Sequence, residues 1–298
     1  MAAPDSSADA RPTGTARAGF RRVLVALDSS AARGPVLEIA AGIAAANACE
    51  LCGLFVEDQD LLRLAGLPFA REIQLARAMS RALAPEQLLQ DLRAQAGIAR
   101  AAMGRQAALH RLSWSFQVTQ GRSEEAILLA ATTGDIIAMA RGFGPLAGVG
   151  RFSERVRLIA QRAPGPLLLA SEPAAGRSGP ILLPYDASPA AEAMLGIAAD
   201  LARARGRSLE ILLLGDAAGR AAEAEARLRA AAEGRRLPAL RLWVPRDAAT
   251  ALRRIMDADG GLLVLPGDAP WFTPGRLAQI IEQTRQSIVL QTEEPPQP

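Results

Sequence analysis

Apolar residues in this chain gather into short, nearly uninterrupted runs. Between the runs lie longer stretches in which apolar positions recur every three or four residues. The runs fall at 23–27, 51–56, 112–118, 135–139 and 166–170, and again at 181–185, 209–214, 240–244, 261–265 and 287–291. Those runs that are nearly continuous in apolar residues predict strands covered on both faces. The intervening stretches predict helices. One carries Val36, Leu37, Ile39, Ala40 and Ile43 and ends near Asn47; Ser30 is expected to cap it, with Pro35 in its first turns. A long one runs from Pro85 to about His110, with Leu88, Leu92, Ala96, Ala99, Met103 and Ala107 forming a single stripe that covers the sheet. Shorter helices are expected at 123–131 and 153–162. Strict alternation of strand and helix implies parallel pairing through right-handed crossovers. The fold class is therefore α/β: two tandem, doubly wound, five-stranded parallel-sheet domains of Rossmann-like type.

The tandem reading rests on an internal repeat. Laying 23–30 over 181–188 places Asp28 on Asp186 and Ser30 on Ser188. Without a gap, Leu37 then meets Leu195, Ile39 meets Ile197, Ala40 meets Ala198 and Asp58 meets Asp216. The predicted division is a disordered tail at 1–19, a first domain at 20–171, a Pro/Gly/Ala linker at 172–179, a second domain at 180–292 and a polar tail at 293–298. The first copy carries extra chain at about 57–104. Within it Leu61, Leu62, Leu64, Leu67 and Phe69 crowd one short stretch, expected either to fold over the strand ends of the first copy or to face a partner.

Composition narrows the chemistry. The chain has 298 residues, 50% of them hydrophobic, enough for two cores. All 34 basic side chains are arginines, so no Schiff-base lysine and no phosphate-loop lysine exists. The net charge of +3 is small, and the arginines alternate with glutamates along helices instead of forming a basic stripe, which argues against a nucleic-acid partner. No apolar run approaches the roughly 20 residues that span a bilayer, and the first residues contain no secretory apolar segment. Cys49 and Cys52 have the spacing of a redox or zinc half-site, but His110 is the lone histidine and the pair falls where a helix ends and a strand begins. They read as small core residues, and so few cysteines fit a reducing cytoplasm. No catalytic constellation and no metal set is present; Ser29-Ser30 and Ser123-Glu124-Glu125 read as helix caps.

The segment Val23-Leu24-Val25-Ala26-Leu27-Asp28-Ser29-Ser30 resembles the opening of universal stress protein domains, as does Ile181 to Ser188. The similarity continues through the alanine-rich first helix, returns at Asp135-Ile136-Ile137-Ala138-Met139, and closes at the Pro-Gly-Pro turn of Pro164 to Pro166 and the strand after it. The resemblance implies a doubly wound fold of the adenine nucleotide alpha hydrolase-like group and a role in the stress response. It also implies that the copies pack through their last strands as an internal pseudo-dimer, leaving room for a homodimer or another protein partner. Nucleotide-binding members of that family hold adenosine with the aspartate that ends the first strand. They hold the phosphates on a loop after the fourth, patterned Gly, two residues, Gly, nine residues, Gly, then Ser or Thr. Glycines let backbone N–H groups reach phosphate oxygens.

The first copy keeps the length of that loop and loses its residues. Without a gap, Ala140, Phe143, Ser153 and Glu154 occupy the four positions, and Glu154 repels phosphate. A shifted register uses Gly142, Gly144 and Gly150, with Arg151 replacing the hydroxyl residue. The candidate nucleotide residues are thus Asp28, Ser29, Val56, Gly142, Gly144, Gly150 and Arg151. In the second copy Leu265-Pro266-Gly267-Asp268-Ala269-Pro270-Trp271-Phe272 leaves too little chain for the loop, and Asp186 reads as a turn or cap residue. Three functions follow as expectations. The leading one is a cytoplasmic, non-catalytic binding or signalling module without cofactor. The alternative is an ATP-binding protein with slow ATPase activity in the first copy, and the third is an adenosine-handling enzyme of the wider group.

Overall fold

The computed structural model describes residues 20–28, 35–67, 71–74, 79–82, 85–141, 151–171, 179–215, 221–233, 239–258 and 261–292. The first half contains β1 (Arg22–Leu27), α1 (Val36–Asn47), β2 (Glu50–Asp58), α2 (Gln59–Ala65), β3 (Arg71–Gln74), β4 (Met79–Ala82), α3 (Pro85–His110), β5 (Trp114–Gly121), α4 (Ser123–Ala130), β6 (Asp135–Ala140), α5 (Arg151–Arg162) and β7 (Leu167–Ala170). The second contains β8 (Ile181–Tyr185), α6 (Pro189–Ala204), β9 (Leu209–Leu213), α7 (Ala221–Glu233), β10 (Leu240–Trp243), α8 (Ala248–Asp257), β11 (Leu262–Pro266), α9 (Pro274–Gln283) and β12 (Ser287–Gln291).

Ten of these strands form one sheet in the order β10-β9-β8-β11-β12-β7-β6-β1-β2-β5. Every pairing is parallel except one. At the centre β12 runs antiparallel to β7, with Ile288 opposite Leu169, Val289 opposite Leu168 and Leu290 opposite Leu167. Each half has the same order, its third, second, first, fourth and fifth strands side by side, as the internal repeat demands. The direction of winding reverses between β1 and β6 in one half and between β8 and β11 in the other. The last strands meet at the seam, as the pseudo-dimer expectation requires.

Alternation along each strand sends side chains to two helical layers. Val23, Val25, Leu27, Ile136, Ala138, Leu183, Tyr185 and Val264 pack beneath α1, α3 and α6. Leu24, Ala26, Ile137, Met139, Leu182, Leu263 and Leu265 pack beneath α5, α8 and α9. The alanine-rich α1 and α6 touch across the seam on one face, and α5 and α9 on the other. Of the α3 stripe, Leu92, Ala96, Ala99, Met103 and Ala107 are buried and Leu88 is half-buried, and α3 lies over β2 and against α1. That approach is close because Gly53 has no side chain; a Cβ there would stand 2.4 Å from Met103 Sδ and 2.8 Å from Phe116 Cδ2.

Several local expectations are corrected. Helix α1 starts at Val36 with Pro35 in the capping position and no side-chain cap bond, and Ser30 lies outside the described residues. The strand expected at 112–118 is Trp114–Gly121. Ahead of the expected long helix, the extra chain holds elements that were not anticipated. It contains α2 and then an antiparallel hairpin of β3 and β4, which pair only with each other, before α3 begins.

Candidate functional site

Doubly wound sheets offer ligands the crevice beyond the carboxyl ends of their strands, where the winding reverses. In the first copy Asp28 stands there, half-buried, one residue beyond β1; the strand pairs β6 through Ala26 opposite Met139. Val56 belongs to the same end of the sheet, but its side chain is buried in the layer beneath α4 and α5. Arg151 is the first residue of α5, directly after the connection from β6. Ser29, Gly142, Gly144 and Gly150 lie outside the described residues. The structure thus brings Asp28 and the start of α5 to one end of the sheet, and the candidate loop residues between β6 and α5 lie outside the described residues.

A polar network sits at the carboxyl ends of β2 and β5. Asp58 is buried and caps α2, accepting from the backbone N–H of Asp60 at 2.8 Å and of Leu61 at 3.3 Å. Its second oxygen accepts from the Ser123 hydroxyl at 2.8 Å. Ser123 is therefore not the cap of α4: that position belongs to Arg122, which makes no side-chain cap bond. Arg122 pairs instead with Asp60 at 3.6 Å and with Glu125 at 3.6 Å. Arg155 of α5 pairs with Glu124 of α4, tying the two helices together. The crowded apolar segment of the insertion forms α2 and packs against α3, with Leu64 and Leu67 exposed; Phe69 lies outside the described residues.

The second copy closes the corresponding end. Asp186 accepts from the Ser188 N–H at 3.1 Å, Ala187 takes φ of +63°, and Ser188 caps α6 by accepting from the Ala191 N–H. Asp186 is a turn residue, as its sequence context suggests. Between β11 and α9 the chain makes two tight turns in succession, Ala269 N–H to Pro266 C=O at 3.1 Å and Phe272 N–H to Ala269 C=O at 2.8 Å. Gly267 donates its N–H to Gln291 C=O at 2.8 Å, and a Cβ there would stand 2.7 Å from Thr292 Cγ2. Ala269 and Phe272 are buried, Trp271 meets Phe272 edge-on at 5.1 Å, and the Arg276 guanidinium lies 4.3 Å from the centre of the Trp271 ring. The backbone N–H groups of Gly267, Ala269 and Phe272 are thus all used within the chain.

Both cysteines are buried, and they belong to opposite faces of the sheet, Cys49 beneath α1 and Cys52 beneath α4 and α5. The spacing therefore makes no dithiol, and burial pushes the Cys49 thiol up to about 11. His110 is exposed at the end of α3. Among the described residues no group of three or more His, Cys, Asp or Glu side chains could hold a metal ion, and no helix is long and apolar enough to cross a membrane. One residue that pattern reading passed over is Arg141, just beyond β6. Its backbone N–H donates to Ala170 C=O at 2.9 Å and its Nη1 donates to Thr284 C=O of the second copy at 2.6 Å. Burial lowers this guanidinium to about 10. Its only sequence signal is a charge inside an otherwise apolar and glycine-rich stretch.

The fold is that of the universal stress proteins. A universal stress protein from Archaeoglobus fulgidus matches with a TM-score of 0.59 at 16% identity, over 92% of this chain and 98% of its own. A protein assigned to the same family in Pseudomonas aeruginosa matches with a TM-score of 0.50 at 15% identity, over 92% of this chain and 94% of that one. The cytoplasmic domain of a prokaryotic cation chloride cotransporter matches equally well, with a TM-score of 0.50 at 17% identity, over 91% and 95% of the two chains. No family model matches the sequence, and no curated protein matches it. At such identities the likeness is one of fold, and it spans both copies.

Proposed function

We propose that this chain is a tandem stress-response module of the universal stress type, cytoplasmic and non-catalytic, acting by binding and association with degenerate nucleotide sites. The observation that carries the reading is the closed turn after β11, where Gly267 and Phe272 spend their N–H groups on the chain itself and buried Phe272 fills the space. The first copy departs less far: it retains Asp28 and a longer connection from β6 to α5, but Glu154 or Arg151 stands where a hydroxyl residue belongs. Two buried free thiols suit a reducing compartment.

Calorimetric titration of the whole chain with ATP tests the proposal. Each phosphate hydrogen bond lost costs about 1.5–3 kcal/mol where charge is involved, so losing two or three moves a micromolar site to the millimolar range. The expected result is no saturable heat at micromolar nucleotide. Low-micromolar binding that both Asp28→Ala and Arg151→Ala abolish overturns it. That result establishes the second reading, ATP binding with slow hydrolysis in the first copy, which the position of Asp28 beside β6 favours.

A further inference from the structure

Arg141 follows β6 of the first copy, yet its side chain is anchored in the second. Nη1 donates to the carbonyl of Thr284, the residue that caps the carboxyl end of α9. A cation is well placed there, because helix carbonyls concentrate negative potential at that end. The other two nitrogens, Nε and Nη2, are buried and have no hydrogen-bond partner among the described residues. These two nitrogens form one edge of the guanidinium, with parallel N–H bonds spaced to meet two oxygens of one oxyanion. Arg22 shows that use within the same chain: its Nε reaches Asp135 Oδ1 at 3.1 Å and its Nη2 reaches Oδ2 at 2.5 Å. A buried charge with its bidentate edge unpaired is costly, and an arriving oxyanion recovers that cost.

We propose that the Nε–Nη2 edge of Arg141 is an oxyanion-binding site at the seam between the two copies, taking a phosphate-type or carboxylate group. It differs from the nucleotide crevice, which opens between β1 and β6, because the guanidinium is fixed by the carboxyl end of α9. A bound anion sits on a residue that both copies hold, so occupancy stabilises their mutual packing as well as the arginine.

The probe is inorganic phosphate, with acetate as a second arm and sodium chloride at matched ionic strength as reference. Phosphate at about tenfold excess over its dissociation constant raises Tm by about 3 °C in the native chain. Arg141→Lys keeps the charge but lacks the edge, and it weakens binding at least tenfold. General salting-out by phosphate acts on both proteins alike. Independently of any variant, the Nε–H signal of Arg141, assigned through its own backbone, shifts saturably as phosphate or acetate is added. A response to either anion supports the proposal, and which one responds names the group. An unmoved Nε–H signal at tens of millimolar of both anions overturns it, as does an equal Tm rise in native chain and Arg141→Lys.

Discussion

Replacing Asp135 by alanine removes the acceptor beneath the amino end of β6. Asp135 is 1% exposed, and its carboxylate takes four hydrogen bonds. Two come from Arg22, at 3.1 and 2.5 Å, and two from Thr132, from its N–H at 2.8 Å and its hydroxyl at 3.2 Å. Arg22 also donates to Ala130 C=O at 2.9 Å, so it cannot swing away freely. Its side chain is 23% exposed, which leaves little water to replace the lost carboxylate. Removing one partner of such a pair costs about 3–5 kcal/mol, because the remaining charge is stranded. At about 2–4 °C per kcal/mol for a chain of this scale, Asp135→Ala lowers Tm by about 6–20 °C. Denaturant unfolding of native chain, Asp135→Leu, Arg22→Met and the double variant separates the pair from its surroundings. The double variant is expected to be more stable than Asp135→Leu alone, because it strands no charge. A loss below about 1 kcal/mol for Asp135→Ala, with no recovery in the double variant, refutes the reasoning.

Gly165→Ala is expected to destabilise the first copy by about 3 kcal/mol, because the new Cβ would stand 2.2 Å from the backbone oxygen of Asp135. Gly53→Ala costs less, since the nearest atom is the flexible Met103 sulfur; equal denaturant midpoints for the two variants would contradict this. Ser123→Ala removes a buried donor from Asp58 and is expected to cost about 1.5–3 kcal/mol, with hydrogen exchange rising first in α2 and α4. Cys49 is raised from 9.0 to about 11 in the folded chain. Its contribution to stability is therefore complete below about pH 9 and is lost as pH rises towards 11. Subtracting the pH profile of Cys49→Ala from that of the native chain isolates this loss, and parallel profiles would exclude it.

The strands and the repeat were legible because each buried strand is a short apolar run, and because Asp28 and Asp186 share a register that sterics and covering helices preserve. The α3 stripe was legible for the same reason: Met103 and Ala107 face one layer at helical spacing. The hairpin in the insertion was not. Arg71–Gln74 and Met79–Ala82 carry one β-branched residue, Ile73, and little alternation, so their pairing has no pattern to announce it. Ser123 misled because its local context is that of a cap, whereas its hydroxyl is claimed by Asp58 from a distant strand. Arg141 was invisible for a related reason. Its partner Thr284 belongs to the other copy, and only assembly of the seam brings the two together.

The antiparallel join of β7 to β12 carries a consequence for how this molecule changes over time. In a homodimer built on the same seam, one substitution appears on both sides, and a change useful at one site is imposed on its twin. Here the halves are encoded separately and held at a fixed effective concentration by one chain. Association survives dilution, and each side is free to accept substitutions the other refuses. The two halves already differ in this way: the turn after β11 holds Trp271 and buried Phe272, whereas the matching connection before α5 is longer. Covalent linkage leaves the two halves able to specialise independently.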